Sequence, residues 1–69
     1  MNERKAYLSG VKWFGGQNAT ALTMWQDLES GARGAASCFE GEARVSFVEG
    51  AYVAHNFGVE FARTRAPRA

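Results

Sequence analysis

Residues 5–14, Lys-Ala-Tyr-Leu-Ser-Gly-Val-Lys-Trp-Phe, favour a strand. In a period-two reading Tyr7, Val11 and Trp13 share one face, and Ala6, Leu8 and Phe14 share the other. Gly10, in the middle, reads as a bulge or a close backbone approach. Gly15-Gly16 ends the run and permits a sharp change of direction. Asn18 is a good helix N-cap. At 100° per residue, Ala21, Leu22, Met24, Trp25 and Leu28 fall within an arc of roughly 160°. The opposite side carries Ala19, Thr23, Gln26, Asp27 and Ser30. The spacing therefore predicts a helix from about 19 to 30, stopped by Gly31 as C-cap. Trp25 and Leu28 are its expected core anchors.

The second half suggests strands. Phe39-Glu40-Gly41 and Val48-Glu49-Gly50 form a short repeat, and each Glu-Gly reads as a turn. Residues 42–48 alternate, with Ala43, Val45 and Phe47 opposite Glu42, Arg44 and Ser46; only Val48 breaks the polar face. Residues 51–55 set Tyr52 and Ala54 opposite Val53 and His55. After Asn56-Phe57-Gly58, Val59 and Phe61 face away from Glu60, Ala62 and Thr64. This pattern predicts an antiparallel meander. Residues 32–39 fit either a first meander strand or a short second helix.

The expected fold is thus α+β: strand, helix, then meander, with one main helix packed on a sheet of three or four antiparallel strands. At 69 residues the chain is one domain, with residues 1–4 and 65–69 as flexible ends. Its apolar share of 46% and charged share of 22% are those of a globular chain, not a disordered one. A chain this short has little core to spare, so a homodimer that covers more apolar surface is one expectation. Cys38 is the only cysteine, which excludes an internal disulfide and a cysteine zinc site. No apolar run is long enough for a signal peptide or a membrane span, so the expected location is cytoplasmic, away from any membrane.

Charge is unevenly spread around a net +1. Residues 1–26 set Glu3 against Arg4, Lys5 and Lys12. Residues 27–60 carry Asp27, Glu29, Glu40, Glu42, Glu49 and Glu60 against Arg33 and Arg44. Residues 61–69 add Arg63, Arg65 and Arg68. The middle is acidic and both ends are basic, a weak pointer to charged partners.

Little of this points to catalysis. Cys38 and His55 are a conceivable nucleophile pair with no orienting motif around them. Asp27 and Glu29 are two apart on a helix and diverge. Gly15-Gly16-Gln17-Asn18 leads into a helix start that could meet a phosphate, but no Lys-Ser/Thr follows. We expect no enzyme, no metal and no cofactor.

Gly10-Val11-Lys12-Trp13-Phe14 resembles the first-strand motif of cold-shock domains, and Glu40-Gly41-Glu42-Ala43-Arg44-Val45-Ser46-Phe47 resembles their late strand. The resemblance covers about a third of the chain. It implies single-stranded nucleic-acid binding through aromatic stacking on a small barrel. Lys12, Trp13, Tyr52, Arg63 and Arg65 would carry that contact. In size, layout and lack of catalytic chemistry, the chain is also similar to small phage-encoded inhibitor proteins of the anti-CRISPR type. That resemblance implies docking on a host protein or nucleoprotein complex, blocking nucleic-acid entry or a conformational step. Asp27, Glu29, Glu40, Glu42 and Glu49 would then oppose the basic residues that grip phosphates. Of the two readings, the docking inhibitor is the first expectation and the nucleic-acid binder the alternative.

Overall fold

The computed structural model describes residues 3–20 and 22–67. Four helices follow one another: α1 (Glu3–Gly15), α2 (Trp25–Ala35), α3 (Glu42–Phe57) and α4 (Val59–Thr64). A 3-10 turn, Ala36–Cys38, extends α2. There is no strand among the described residues. The α+β expectation, with its helix on a three- or four-stranded sheet, is therefore overturned: the chain is a small helical bundle.

The reason lies in the small residues. On α3 the buried positions are Ala43, Ser46, Phe47, Gly50, Ala51 and Ala54. Their spacing of three, four, seven, eight and eleven is the stripe of a helix, not the alternation of a strand. On α1 the buried positions are Ala6, Tyr7, Gly10 and Val11, again one helical face. The apparent alternation over 42–48 counted Val45 with Ala43 and Phe47, yet Val45 is exposed.

The two stripes meet at a reciprocal glycine contact. A Cβ added at Gly10 would overlap the Phe47 carbonyl oxygen and stand 2.8 Å from its carbon. A Cβ added at Gly50 would overlap the Tyr7 carbonyl oxygen and stand 3.0 Å from its carbon. Each glycine thus seats the other helix's backbone. Gly10 is the close approach that the sequence suggests, on a helix rather than in a bulged strand. Gly50 is not a turn residue.

Two apolar clusters form around this crossing. One joins Ala6, Ala36, Ala43 and Phe47, with Trp13 and Phe39 packed against it. The other joins Tyr7, Val11, Ala54 and Ala62, with Phe14 and Val59 alongside. The Tyr7 hydroxyl donates to the Ala62 carbonyl at 2.9 Å and ties α4 to α1.

The helix expected over 19–30 is displaced. Residues 18–20 and 22–24 form a connector, and α2 runs on through Gly31 and Gly34 to Ala35. Asn18 does not cap it; Met24 stands at the N-cap without a side-chain bond. The connector holds its own turn, with the Thr20 amide donating to Thr23 Oγ1 at 2.9 Å. Leu22, expected on the buried arc, is 90% exposed; Ala21 lies outside the described residues. Trp25 and Leu28 are half-buried rather than core. Residues 32–38 are helical as the end of α2 and its 3-10 turn, so over 32–39 neither a meander strand nor a separate second helix is formed.

Two glycines set the sharp corners. Gly41 (φ 58°, ψ −132°) starts α3, and Gly58 (φ 97°, ψ 154°) separates α3 from α4. Both conformations disfavour any residue with a Cβ. Of the expected flexible ends, Glu3 and Arg4 belong to α1, and Ala66 and Pro67 follow α4. Residues 1, 2, 68 and 69 lie outside the described residues. No described helix is long and apolar enough to cross a membrane.

Candidate docking groove between the second and third helices

The turn through Gly41 folds α3 back antiparallel to α2. Arg44 closes it, its Nε donating to the Phe39 carbonyl at 3.2 Å. At the other end of this hairpin, Trp25 opens α2 and sets its ring edge-on to Tyr52, with centroids 5.2 Å apart. The His55 ring lies 5.9 Å from Trp25 and meets Phe14 of α1 edge-on, also at 5.9 Å. His55 Nε2–H donates to the Thr23 carbonyl at 2.6 Å. A carbonyl can only accept, so this bond fixes the proton on Nε2. His55 thereby holds the connector, α1 and the start of α2 to α3.

Between α2 and α3 runs an open groove of about 700 Å³. Val45 and Val48 give it an apolar wall; Trp25 and Tyr52 stand at one end. Arg33 and Arg44 stand towards the other, beside Ser37. Glu49 lines the outer ridge of α3. Val45 is 61% exposed and Tyr52 46%. Arg33 is held in its own helix by Glu29, with Nη2 donating to Oε2 at 2.6 Å.

A second groove of about 410 Å³ lies across α3 on the α4 side, lined by Tyr7, Glu49, Val53, Phe57, Phe61 and Arg65. The Phe57 and Phe61 rings are 5.1 Å apart, and the Arg65 guanidinium lies 4.9 Å from the Phe61 centroid. Burial raises the Tyr7 phenol above its ordinary pKa; Glu49 adds to the rise and Arg65 opposes it. A shallower basic surface on α1 is lined by Arg4, Lys5, Leu8, Ser9 and Lys12.

The expected acidic docking set is spread over the hairpin. Asp27 is in the first turn of α2, while Glu40 and Glu42 flank Gly41 at the opposite end. Glu29 is engaged with Arg33, and Glu49 stands alone of the set on the α3 ridge. The expected nucleic-acid set is also divided. Lys12 is on the exposed side of α1. Trp13 packs inward, 6.3 Å from the Phe47 ring and against Gly31. Tyr52 lines the α2–α3 groove, Arg65 lines the α4 groove, and Arg63 pairs with Glu60 at 3.2 Å. The barrel platform that a cold-shock resemblance implies has no strands here to form it. Cys38 sits at the α2–α3 turn and donates to the Ala35 carbonyl, while His55 is near the far end of α3. The fold does not bring them together.

Sequence reasoning missed Arg33, Arg44 and Val48 as groove residues and placed Trp25 in the core. One signal was available: Val48 breaks the polar face of the supposed strand. On a helix it lies one turn from Val45 and one from Tyr52, half-buried between the core and the groove. No family model, curated protein or solved structure matches this chain.

Proposed function

We propose that this chain is a non-enzymatic binding protein that docks on a host protein or nucleoprotein complex, in the manner of a small phage-type inhibitor, and that the α2–α3 face makes the contact. One observation carries the reading. Val45 and Tyr52 stand exposed beside an open groove in a chain whose own core is filled largely by alanine and glycine. A continuous apolar surface left open beside fixed charges is the usual composition of a protein contact. Tyr52 and Trp25 are residue types that dominate binding energy when a partner covers them. Action by occupation needs no reacting group: a partner surface that is covered cannot also hold nucleic acid or complete a conformational step.

Nucleic acid as the primary ligand has less to support it. Its five expected residues lie on separate faces, and Trp13 is half-buried against Phe47 and Gly31. The test of the docking reading is capture from host lysate by the parent, by a Val45→Ser/Tyr52→Ser double variant, and by Lys12→Ala. The double variant alters only exposed side chains and should keep the helical circular-dichroism spectrum. It should lose the proteins that the parent and Lys12→Ala retain. Capture of the same set by all three refutes the reading.

A further inference from the structure

We infer that α2 is a latched flap: it opens from the bundle as a unit while α1, α3 and α4 stay folded, and His55 is the latch that holds it shut. How readily a segment opens is set by what it buries and by how well it stands alone. Of the eleven residues of α2 only Ala32 is buried. By contrast α1 buries Ala6, Tyr7, Gly10 and Val11, and α3 buries a full stripe from Ala43 to Ala54, with each backbone seated on the other helix's glycine. By itself α2 is also a poor helix. Gly31 and Gly34 lie in its interior, where glycine has the most freedom to regain, and its N-cap, Met24, supplies no side-chain bond. The Glu29–Arg33 pair is at the surface, where such pairs add little.

What holds α2 shut sits mainly at its two ends. Just past its C-terminus Ala36 is buried with Ala6 and Ala43, which roots the helix in the bundle. Just before its N-terminus the Thr23 carbonyl accepts the His55 Nε2 proton at 2.6 Å, and the Trp25 ring lies against His55 and Tyr52. Between these ends α2 rests on Ala32 and on Gly31, which lies beside the Trp13 ring. His55 belongs to the bundle: it is on α3, and its remaining ring contact is Phe14 of α1. Its contacts to Thr23 and Trp25 therefore exist only in the shut form. Opening uncovers the Trp13 ring and removes the wall that Trp25, Arg33 and Ser37 give the α2–α3 groove, so a ligand in that groove selects the shut form. The flap itself does not depend on there being such a ligand.

Native-state amide exchange of the full chain, in increasing sub-denaturing urea, tests this. Amides 29–35 report on α2; those of Val11 and Ala51 report on the bundle. The α2 amides, buried Ala32 included, are expected to share one protection factor, at least about tenfold below those of Val11 and Ala51. Their urea dependence should be finite but shallower, since opening α2 exposes less surface than unfolding the whole chain. Two substitutions separate a flap from a single cooperative unit. Tyr7→Phe weakens a contact that persists when α2 opens, so it should speed exchange at Val11 and Ala51 about fivefold and leave α2 unchanged. His55→Ala removes the latch and should speed α2 several-fold; His55→Gln, whose amide can still donate to Thr23, should speed it less. Equal protection of α2 and bundle in the parent overturns the inference. So does a urea-independent α2, which means fraying residue by residue, or an equal acceleration of α2 and bundle in Tyr7→Phe. Unchanged α2 rates in His55→Ala overturn the latch. The urea series needs only the parent, so it decides between flap and single unit even if a variant fails to fold.

Discussion

Gly10→Ala offers the sharpest test of the helix crossing, because two general effects predict opposite signs. In the interior of an ordinary helix alanine is better than glycine by about 0.5–1 kcal/mol. At Gly10 the new methyl has nowhere to go. It would overlap the Phe47 carbonyl oxygen and come within 3.2 Å of the Ala51 nitrogen, both main-chain atoms that cannot rotate away. The helices must part by about 1 Å, and a gap of that size forfeits about a quarter to a half of each contact energy along the seam. That seam holds Ala6, Tyr7 and Val11 on one side and Ala43, Phe47, Ala51 and Ala54 on the other. Overpacking costs about 1–3 kcal/mol in general, and a rigid main-chain obstacle places this case near 3. Net of the propensity gain, the expected loss is about 2 kcal/mol. For a domain of this size that lowers Tm by about 8–16 °C.

Gly50→Ala meets the Tyr7 main chain in the same way and should cost about as much. The double variant should cost less than the sum, since helices parted for one methyl already leave room for the other. Gly34→Ala is the control: nothing lies within 4 Å of its added Cβ, so it should stabilise by about 0.5–1 kcal/mol. Urea melts followed by circular dichroism at the helix band measure all four variants. A Gly10→Ala protein as stable as the parent refutes the crossing. So does a fully additive double variant, which would mean that the two glycines do not share one contact.

Other outcomes follow from single contacts. Tyr7→Phe removes the buried bond to the Ala62 carbonyl and should cost about 1 kcal/mol, with faster amide exchange in α4. The Tyr7 phenol is raised when folded, so its contribution is complete below the unfolded pKa of about 10 and is lost as pH rises through the folded value. The parent should therefore lose stability more steeply above pH 10 than Tyr7→Phe; parallel pH curves would sink this assignment. His55→Ala frees the Thr23 carbonyl, and limited proteolysis should then cut between α1 and α2 faster than in the parent, while unchanged cutting would show that the connector is held elsewhere. In Trp25→Phe the remaining tryptophan is Trp13, packed on Phe47. Its fluorescence should not respond to short single-stranded DNA even at low salt, and quenching there would put Trp13 back on an exposed platform.

The close approach at Gly10 is legible in the sequence, but the type of three elements is not. Residues 5–14 hold Tyr7, Val11, Trp13 and Phe14, which fit a pleated surface well, and β-propensity is a weak guide once tertiary contacts decide. The helical stripe Ala43, Ser46, Phe47, Gly50, Ala51, Ala54 is in plain view, yet a hydrophobicity scale sees only part of it. Ser46 and Gly50 count as polar or as breakers, and the eye then joins Ala43, Val45 and Phe47 into an alternation. What these positions share is small size, and size matters where two backbones touch. Displacement of α2 has a similar origin. Asn18 and Gly31 are good capping residues by type, but the connector satisfies itself through Thr20 and Thr23, and Gly31 lies beside the Trp13 ring rather than ending the helix. The groove was hidden by the same error, since Arg33, Arg44 and Val48 come together only when α2 and α3 are both helices.

Fold and proposed function meet in this inversion of size. Helices that cross at glycine bury alanines, a phenylalanine, a valine and a tyrosine, and leave Val45, Tyr52 and Phe57 outside. A larger core residue at Gly50 or Ala51 would push α1 off α3. The same push would shift the Trp25–Tyr52 contact that shapes one end of the groove, because His55 ties α1, through Phe14, to that end. Core and groove thus share α3 as a common wall, with small residues required on one side and large ones available on the other. A change on the outer side that meets only solvent, such as Val45 to a charged residue, should leave the melt unchanged and abolish docking. A change on the inner side should lower both together. Separation of these two responses along one helix, measured by melting and by capture from lysate on the same variants, distinguishes a docking helix from one whose exposed apolar residues are incidental.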